Sequence, residues 1–299
     1  MMDLDALLDQ VPALAGKPRT VEDLSGGLTN RNVKVTTPDG SFVARLNLSD
    51  PVLLDIDREA EAFNTRVAET AGVGAPYVDF RPDLGMLVIG FIEGRTFTDD
   101  DLRTPGALGR LAIAVRALHA GPRFQIDFDM FARQPTYLRT CIENGFKLPD
   151  GYADFAADFA RIQGALAVNP VDTVPCNNDL LAGNIVDDGS KLWLIDYEYS
   201  GNNDPYFELG NCWTECGLDD EHLAELVTAY VGHESPTMLA RARLRAVTSR
   251  YGWSLWGFIQ AATRDGEFDF YGWGQERFDK AVADFRSPEF ENWLEVAAT

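Results

Sequence analysis

The spacing of apolar residues along the chain changes near Gly94, from mainly strand-like to mainly helical. Before that point, apolar runs are short and are separated by Gly, Pro and Asp residues, which is typical of strands joined by turns. After it, apolar residues recur every three or four positions, which is typical of amphipathic helices. The pattern therefore predicts an α+β protein with a boundary at Gly94, between residues 1–93 and residues 94–299.

Two hairpins dominate the structure expected before the boundary. Pro38-Asp39-Gly40 is a turn signal between two runs with strand-like composition, and Pro82-Asp83-Leu84-Gly85 separates two more. Helical spacing precedes the first hairpin and recurs between the two. We expect strands over 33–37, 41–46, 77–80 and 86–91 and helices over 4–15 and 56–71, the second with an apolar stripe of Ile56, Ala60, Phe63 and Val67.

Helical spacing returns in three stretches after the boundary. The first ends at Leu118-His119, before a Gly-Pro break, and we interpret His119 as a core residue rather than a ligand. Helices are expected around 108–119 and over 152–168 and 236–264, whereas the aromatic residues 127–148 are expected to be irregular.

The middle of the chain contains polar residues at a spacing that packing alone does not require. Asp179 and Asn184 are five apart in a Gly-containing loop, and Asp196 ends an apolar run. A turn signal at residues 187–190 predicts a hairpin that brings Asn184 and Asp196 together, with Asp179 just before it. Amide and carboxylate oxygens suit a Mg²⁺ ion that carries phosphates, and a nearby Asp can orient a substrate hydroxyl. The alternative is that these side chains only satisfy turns and strand ends.

Composition narrows the class of protein. The chain has 299 residues, of which 45% are hydrophobic and 24% charged, and no apolar run approaches the roughly 20 residues of a membrane span. The net charge of −21 argues against nucleic acids and anionic membranes as partners. An acidic N-terminus without an apolar core argues against a secretory signal, so a cytoplasmic protein without membrane insertion is expected. The oligomeric state stays open.

Zinc sites and Ser-His-Asp chemistry find little support in the sequence. The three histidines have no ligand or triad arrangement. The cysteines lack paired C-x-x-C spacing, and we expect them to be free, buried thiols. They are Cys141, Cys176, Cys212 and Cys216.

The central segment resembles the catalytic and metal loops of protein-kinase-like small-molecule kinases, which include aminoglycoside phosphotransferases. Three strings carry the resemblance, and they look most like the choline/ethanolamine kinase family, closest to choline kinase. They are Asn178-Asp179-Leu180-Leu181-x-Gly183-Asn184-Ile185, Ile195-Asp196-Tyr197-Glu198-Tyr199 and Leu209-Gly210-Asn211. The resemblance implies a bilobal protein-kinase-like fold. Residues 1–93 would form a small antiparallel-sheet lobe with one main helix that binds the nucleotide. Residues 94–299 would form a mostly helical lobe with the catalytic loop, the metal site and a choline pocket.

The resemblance also implies a role for each part of the nucleotide site. Asp179 would be the catalytic residue, Asn184 and Asp196 would hold Mg²⁺, and ATP would be the co-substrate. Arg45 would contact the phosphates and pair with Glu61. The expected nucleotide-binding residues are Ser25, Gly26, Gly27, Leu28, Thr29, Asn30, Arg45, Glu61, Phe91, Ile92 and Leu181.

A pocket for a cationic alcohol is implied as well. Trp253, Trp256 and Gln260 match the W-x-x-W helix of the choline kinase branch, although core packing is the usual explanation for such a pair. A trimethylammonium has no N–H to donate and gains from aromatic faces, whereas the ammonium of ethanolamine needs acceptors. Choline is therefore the expected substrate. The expected substrate-binding residues are Tyr199, Glu215, Trp253, Trp256, Gln260 and Trp273.

Two positions depart from the family pattern. Asn177 stands where the family usually has His, and Glu208 stands where it usually has Asp. Ethanolamine, thiamine or an aminoglycoside are alternative acceptors within the same enzyme class. The departures also motivate a different class, a nucleotide-binding pseudokinase without turnover, against which the intact Asp179, Asn184 and Asp196 argue.

Overall fold

A five-stranded antiparallel sheet forms the N-terminal part of the protein. The structure is a computed structural model that describes residues 4–24, 30–47 and 53–299. The strands lie in the order β1-β2-β3-β5-β4, and both predicted hairpins are confirmed as β2–β3 and β4–β5. The bounds are α1 Leu4–Leu8, β1 Thr20–Leu24, β2 Asn30–Thr37, β3 Gly40–Asn47, α2 Arg58–Thr70, β4 Tyr77–Arg81 and β5 Met86–Gly90.

The N-terminal segment covers one face of this sheet. The predicted helix over 4–15 is wrong beyond Leu8, where α1 ends and a series of turns begins. Pro12 lacks an N–H and disfavours helical backbone in the residue before it. The turns still bring Val11 and Leu14 into the core of the sheet, where both are fully buried with Leu8.

The face that α2 buries differs from the predicted stripe. Asp57 caps the helix, with its side chain accepting from Ala60 N at 3.0 Å. Phe63 was expected to be buried but is 38% exposed, whereas Asn64 is fully buried. Asn64 donates to the hydroxyl of Ser200 at 3.0 Å, so its amide satisfies a polar loop of the helical part. Because this helix packs against polar loops, apolar spacing alone misplaces its buried face.

Nine α-helices lie after the boundary, in residues 94–299, all of which the structure describes. Helices are confirmed around 108–119, over most of 152–168, and over 236–264. Their bounds are α3 Asp99–Leu102, α4 Ala107–His119, α5 Met130–Glu143, α6 Ala156–Val168, α7 Pro205–Glu215, α8 Asp220–Val231, α9 Pro236–Thr263, α10 Phe270–Phe285 and α11 Phe290–Ala297.

The expectation of irregular structure over 127–148 is wrong, because α5 lies there. Asp129 caps α5 by accepting from Phe131 N at 2.9 Å. Its buried face includes Gln134, which donates to the hydroxyl of Tyr152 at 3.3 Å. A buried polar side chain and the internal Pro135 interrupt the apolar spacing, so the helical period is not visible in the sequence.

Five short strands support the central loop. The predicted hairpin is confirmed as β8–β9, in which Ile185 pairs with Leu194, and β6 adds on the other side of β8. A second pair, β7 and β10, lies before and after this hairpin in the chain. The strands are β6 Arg95–Thr96, β7 Val174–Cys176, β8 Ile185–Asp187, β9 Leu192–Leu194 and β10 Gly201–Asn203.

Helix α9 runs through the centre of the helical part, and every residue from Tyr251 to Gln260 is buried. Its contact with α10 is close: a Cβ on Gly257 would lie 2.8 Å from Gly274 Cα. Only glycine permits this crossing without displacement of the backbone. The crossing places the rings of Trp256 and Trp273 with their centroids 5.1 Å apart. Among the described residues, no helix has the length and apolar character needed to cross a membrane.

All four cysteines are free and buried, as expected. Burial raises the pKa of the Cys141 thiol to about 12, which disfavours the reactive thiolate. We expect Ellman's reagent to label none of the four thiols in the native protein and all four after unfolding in guanidinium chloride. Rapid labelling of native protein would contradict the packing described.

Candidate active site

The loop between β7 and β8 carries Asp179 and is held from both sides. Asn177 is fully buried. Its Nδ2 donates to the carbonyls of Ile195 and Asp196 at 3.0 and 2.8 Å, and its Oδ1 accepts from Asp179 N at 3.1 Å. This one amide joins the loop of Asp179 to the strand end at Asp196. Asn177, which stands where the family usually has His, therefore has a structural role here, and its amide makes all three of these hydrogen bonds.

Two non-glycine residues of this region have left-handed backbone conformations, Asn178 with φ 66° and Asp196 with φ 64°. Asn and Asp tolerate this conformation better than other side chains, although it remains costly by about 1 kcal/mol each. Asn178 Nδ2 donates to Tyr199 O at 3.1 Å, and Asn203 donates to Asn178 Oδ1 at 2.9 Å. These hydrogen bonds hold Asn178 in its strained backbone conformation.

Asn184 and Asp196 offer oxygens at the open end of the β8–β9 hairpin. Asn184 Nδ2 donates to Asp179 O at 2.8 Å, and Ile195 N donates to Asn184 O at 2.9 Å. Because the amide nitrogen is engaged, Oδ1 of Asn184 is the atom available as a ligand. An amide oxygen beside a carboxylate fits the oxygen preference of Mg²⁺.

A cluster of alternating charges connects this hairpin to the sheet. Arg45 Nη1 lies 2.8 Å from Glu61 Oε1 and 2.7 Å from Asp196 Oδ1, so the pair expected between Arg45 and Glu61 is present. Arg58 Nη1 lies 2.7 Å from both Glu61 Oε2 and Glu198 Oε1. Burial alone would lower the pKa of the Arg45 guanidinium, but the carboxylates of Asp196, Glu61 and Glu198 raise it above its ordinary value. Arg45 is therefore permanently cationic.

We expect Arg58→Met to lower the free energy of unfolding by about 3–5 kcal/mol, because it leaves two buried carboxylates without a shared cation. Glu61 and Glu198 are only 3% and 5% exposed, so water cannot replace the guanidinium. Urea unfolding followed by circular dichroism measures the loss. Arg31→Met removes a comparable pair with Asp23 at the surface and should leave the midpoint almost unchanged. Equal effects of the two variants would contradict the buried network.

The surroundings of Asp179 raise the affinity of its carboxylate for a proton. Burial raises the pKa of the Asp179 carboxyl well above its ordinary range, and the negative charges of Asp196, Glu215 and Glu198 raise it further, while Arg277 acts in the opposite direction. A carboxylate with raised proton affinity is a better proton acceptor near neutral pH than an ordinary one.

Two cavities meet at the hairpin end. One has a volume of about 410 Å³ and lies between the sheet and the helical part; Arg45, Phe91, Ile92 and Leu181 line it. The other has a volume of about 310 Å³ and includes Asp179. Four residues line both cavities, so the two spaces share one wall. They are Asn32, Leu181, Asn184 and Asp196.

Other residues predicted for the nucleotide site are distributed differently. Asn30 lines the second cavity, and its Nδ2 donates to Glu198 Oε1 at 3.1 Å. Glu61 lies outside the lining of both cavities and acts through Arg45. Ser25, Gly26, Gly27, Leu28 and Thr29 lie outside the described residues.

Aromatic side chains form the far wall of the second cavity. Tyr199, Trp253, Trp256 and Trp273 all line it. Trp256 Nε1 donates to the hydroxyl of Tyr199 at 2.7 Å, and the rings of Tyr199 and Trp253 meet edge to face with centroids 4.9 Å apart. Gln260 is buried one turn beyond Trp256 and is not among the lining residues. The structure thus brings together five of the six predicted substrate residues, with Glu215 as the fifth.

Sequence reasoning missed several residues that line the second cavity. Asn32, Asp99, Glu198 and Arg277 belong to it but received no role. Arg277 follows Trp273 by four positions, and this helical spacing alone places the two side chains on one face of α10. Glu198 follows Asp196 by two positions in the same loop.

A buried hydrogen-bonded cluster lies beneath the loop of Asp179. His119 Nε2 is 3.5 Å from Cys176 Sγ and 3.6 Å from Glu208 Oε2, and its Nδ1 is 2.8 Å from the hydroxyl of Tyr230. Glu208 also accepts from Asn178 N at 3.4 Å. The second departure from the family pattern therefore supports the loop from below, and His119 is a core residue, as interpreted.

An antiparallel sheet lies over a helical lobe, and Asn184 and Asp196 line both cavities. These features define a small-molecule phosphotransferase of protein-kinase-like fold. Comparisons with known proteins identify its family. The phosphotransferase enzyme family matches residues 20–246. A choline/ethanolamine kinase family protein from Mesorhizobium loti is similar in structure over 98% of this chain and 97% of that one, with 32% identity and a TM-score of 0.86.

Two further relatives are a choline kinase and a probable ethanolamine kinase. Choline kinase LicA from Streptococcus pneumoniae has a TM-score of 0.78 at 22% identity, over 94% of this chain and 97% of that one, which shows the shared fold. A probable ethanolamine kinase from Arabidopsis thaliana is 26% identical over 87% of this chain and 78% of its own length. The chain belongs to the choline/ethanolamine kinase branch of the phosphotransferase enzyme family. It is accordingly a phosphotransferase with an alcohol group as acceptor.

Proposed function

We propose that the protein is an ATP-dependent choline kinase, which transfers the γ-phosphoryl group of ATP to the hydroxyl of choline and yields phosphocholine and ADP. One observation carries this proposal: Asn184 and Asp196 line both cavities. A nucleotide in the first cavity and an alcohol in the second would therefore meet at the residues suited to Mg²⁺. Relatives include both choline and ethanolamine kinases, so the choice of alcohol rests on the second cavity.

In this proposal the nucleotide lies between residues 1–93, which form the nucleotide-binding lobe, and residues 94–299. The last strand of the sheet ends at Gly90, and β6 at Arg95 already pairs with β8 of the helical part. The connecting residues Phe91 and Ile92 line the first cavity, where the adenine would contact their backbone. Phe91 N–H already donates to Ser41 O at 2.9 Å, so this N–H is not available to the adenine.

Charge compensation comes from both lobes. Asn184 and Asp196 would hold Mg²⁺. When bound, this ion would act as a Lewis acid that neutralises negative charge on the phosphates. Arg45 lines the same cavity and is held by Glu61, so it presents a fixed positive charge beside Asp196. Preorganised charge of this kind is the main requirement of phosphoryl transfer.

Asp179 lines the second cavity and would orient the substrate hydroxyl. As the oxygen of the alcohol bonds to the γ-phosphorus, the bond from phosphorus to the β–γ bridging oxygen breaks and ADP leaves. The hydroxyl proton passes to Asp179, whose raised pKa suits that acceptance.

The aromatic wall favours a quaternary ammonium. Tyr199, Trp253, Trp256 and Trp273 offer ring faces and edges, and each cation–π contact contributes about 0.5–2 kcal/mol, more when it is desolvated. Burial raises the pKa of the Tyr199 hydroxyl, so Tyr199 stays neutral. A trimethylammonium needs no hydrogen-bond acceptor from this wall, whereas a primary ammonium must replace three hydrogen bonds to water.

The proposal is tested by ADP release from Mg·ATP with a panel of alcohols: choline, ethanolamine, thiamine and an aminoglycoside. We expect the highest kcat/KM with choline. A tenfold preference for ethanolamine would contradict the argument from the aromatic wall. Asp179→Ala, purified in parallel, measures any ADP release from contaminating ATPases.

A further inference from the structure

Arg277 of α10 lies at the point where the second cavity was expected to receive a cation. Its Nε is 3.1 Å from Glu215 Oε1, and its Nη2 pairs with Glu215 Oε2. Its Cζ lies 3.3 Å from the centroid of the Trp273 ring. The guanidinium therefore binds both oxygens of Glu215 and covers one ring face of Trp273, while still lining the cavity.

The consequence is a shortage of unpaired carboxylates among the residues that line this cavity. Asp196 and Glu198 also line it, but they are paired with Arg45 and Arg58. Asp179 would face the hydroxyl of the substrate, and Asp99 is exposed at the cavity edge. A primary ammonium that enters between the tryptophans must then lose hydrogen bonds to water without full replacement, which is costly. A trimethylammonium has no such requirement.

We propose that Arg277 determines substrate specificity: by holding both oxygens of Glu215 and one face of Trp273, it excludes N–H donors and favours a quaternary over a primary ammonium. This inference rests on the proposed function, because it describes how the same site selects its alcohol. Arg277 acts through Glu215 and Trp273, so it is a positioning residue rather than a catalytic one.

A purely structural pair elsewhere in the protein provides a matched control. Arg250 of α9 lies 2.5 Å from Asp284 of α10 and stacks over the ring of Trp213 at 4.8 Å. Its side chain is 13% exposed and that of Arg277 is 14% exposed. Arg250 is not among the residues that line either cavity, although its Nε donates to Thr214 Oγ1, next to Glu215. Arg250→Met therefore removes a similarly buried ion pair outside the cavity lining.

The test compares Arg277→Met with Arg250→Met in the full-length protein. Dissociation constants for choline and for ethanolamine are measured without nucleotide by quenching of tryptophan fluorescence, and kcat/KM is measured for both alcohols. We expect Arg277→Met to lower the preference for choline at least tenfold, mainly through tighter binding of ethanolamine to the freed Glu215. The double variant Arg277→Met/Glu215→Gln should return the preference to within threefold of wild type. Arg250→Met should leave it unchanged.

The inference is overturned if the preference for choline in Arg277→Met stays within threefold of wild type. It is also overturned if Arg250→Met changes this preference as much as Arg277→Met does. Arg277→Lys and Glu215→Gln keep the test decisive if Arg277→Met does not fold. We expect Arg277→Lys to lower the preference for choline partway, since one ammonium cannot occupy both oxygens of Glu215. If Glu215→Gln weakens the binding of ethanolamine more than that of choline, Glu215 already receives the ammonium in the wild type. That result would contradict the inference. A wild type that binds both cations and phosphorylates neither contradicts the proposed function, while the binding constants still decide the role of Arg277.

Discussion

Asp179→Ala should lower kcat for the phosphorylation of choline by about 10²–10⁴-fold, the usual contribution of a positioned proton acceptor. The KM for Mg·ATP should stay within threefold of wild type, because Asp179 lines only the second cavity and Arg45 lines the first. Single-turnover assays with saturating ATP separate the chemical step from product release. A loss of ATP binding as large as the loss of kcat would contradict the assignment.

Asp179→Asn distinguishes lost chemistry from lost folding. The raised pKa means that the folded protein holds the Asp179 proton more tightly than the unfolded chain does. Wild-type stability therefore falls as pH rises from the ordinary carboxyl range through the raised pKa. Asn cannot ionise, so the variant should be more stable than wild type at high pH, with the smallest difference at low pH, while remaining inactive. Thermal unfolding without nucleotide or divalent cation measures this; a variant destabilised at every pH would contradict it.

Trp256→Ala should raise the KM for choline about 30-fold while the KM for ATP changes less than twofold. Loss of a desolvated cation–π contact of about 2 kcal/mol corresponds to that factor. Trp256 lines the second cavity only, and its Nε1 also holds the hydroxyl of Tyr199. Initial rates with one substrate varied at a time give both constants.

The buried position of Trp256 requires two companion variants, because removal of a buried indole also lowers stability by about 3–5 kcal/mol. Trp256→Phe keeps an aromatic ring and should lose less affinity for choline than the Ala variant. Trp193→Ala removes a tryptophan that lies outside both cavities and should leave both KM values unchanged. Parallel losses for choline and ATP in Trp256→Ala would indicate a role in the core only.

The local sequence was sufficient to predict those elements that depend on residues close together in the chain. The turn signals of both sheet hairpins and of β8–β9 lie within a few residues of the strands they join, and all three hairpins are present. Helix α9 also follows from spacing alone, since its apolar residues extend over many turns. Where buried polar residues interrupt the pattern, as Gln134 in α5 and Asn64 in α2, the sequence misplaced an element or its buried face.

The order of Asp179, Asn184 and Asp196 around one hairpin was readable from the sequence, because local turns bring residues so close in the chain together. The pairing of residues far apart was decided by tertiary structure alone. Arg45 meets Asp196 across 151 positions, and Arg277 meets Glu215 across 62. Such pairs depend on how the lobes and helices pack, and charge alone cannot select among the many carboxylates of a chain with net charge −21. The packing therefore decided which carboxylates of the second cavity are paired with arginines and which can accept hydrogen bonds from a substrate.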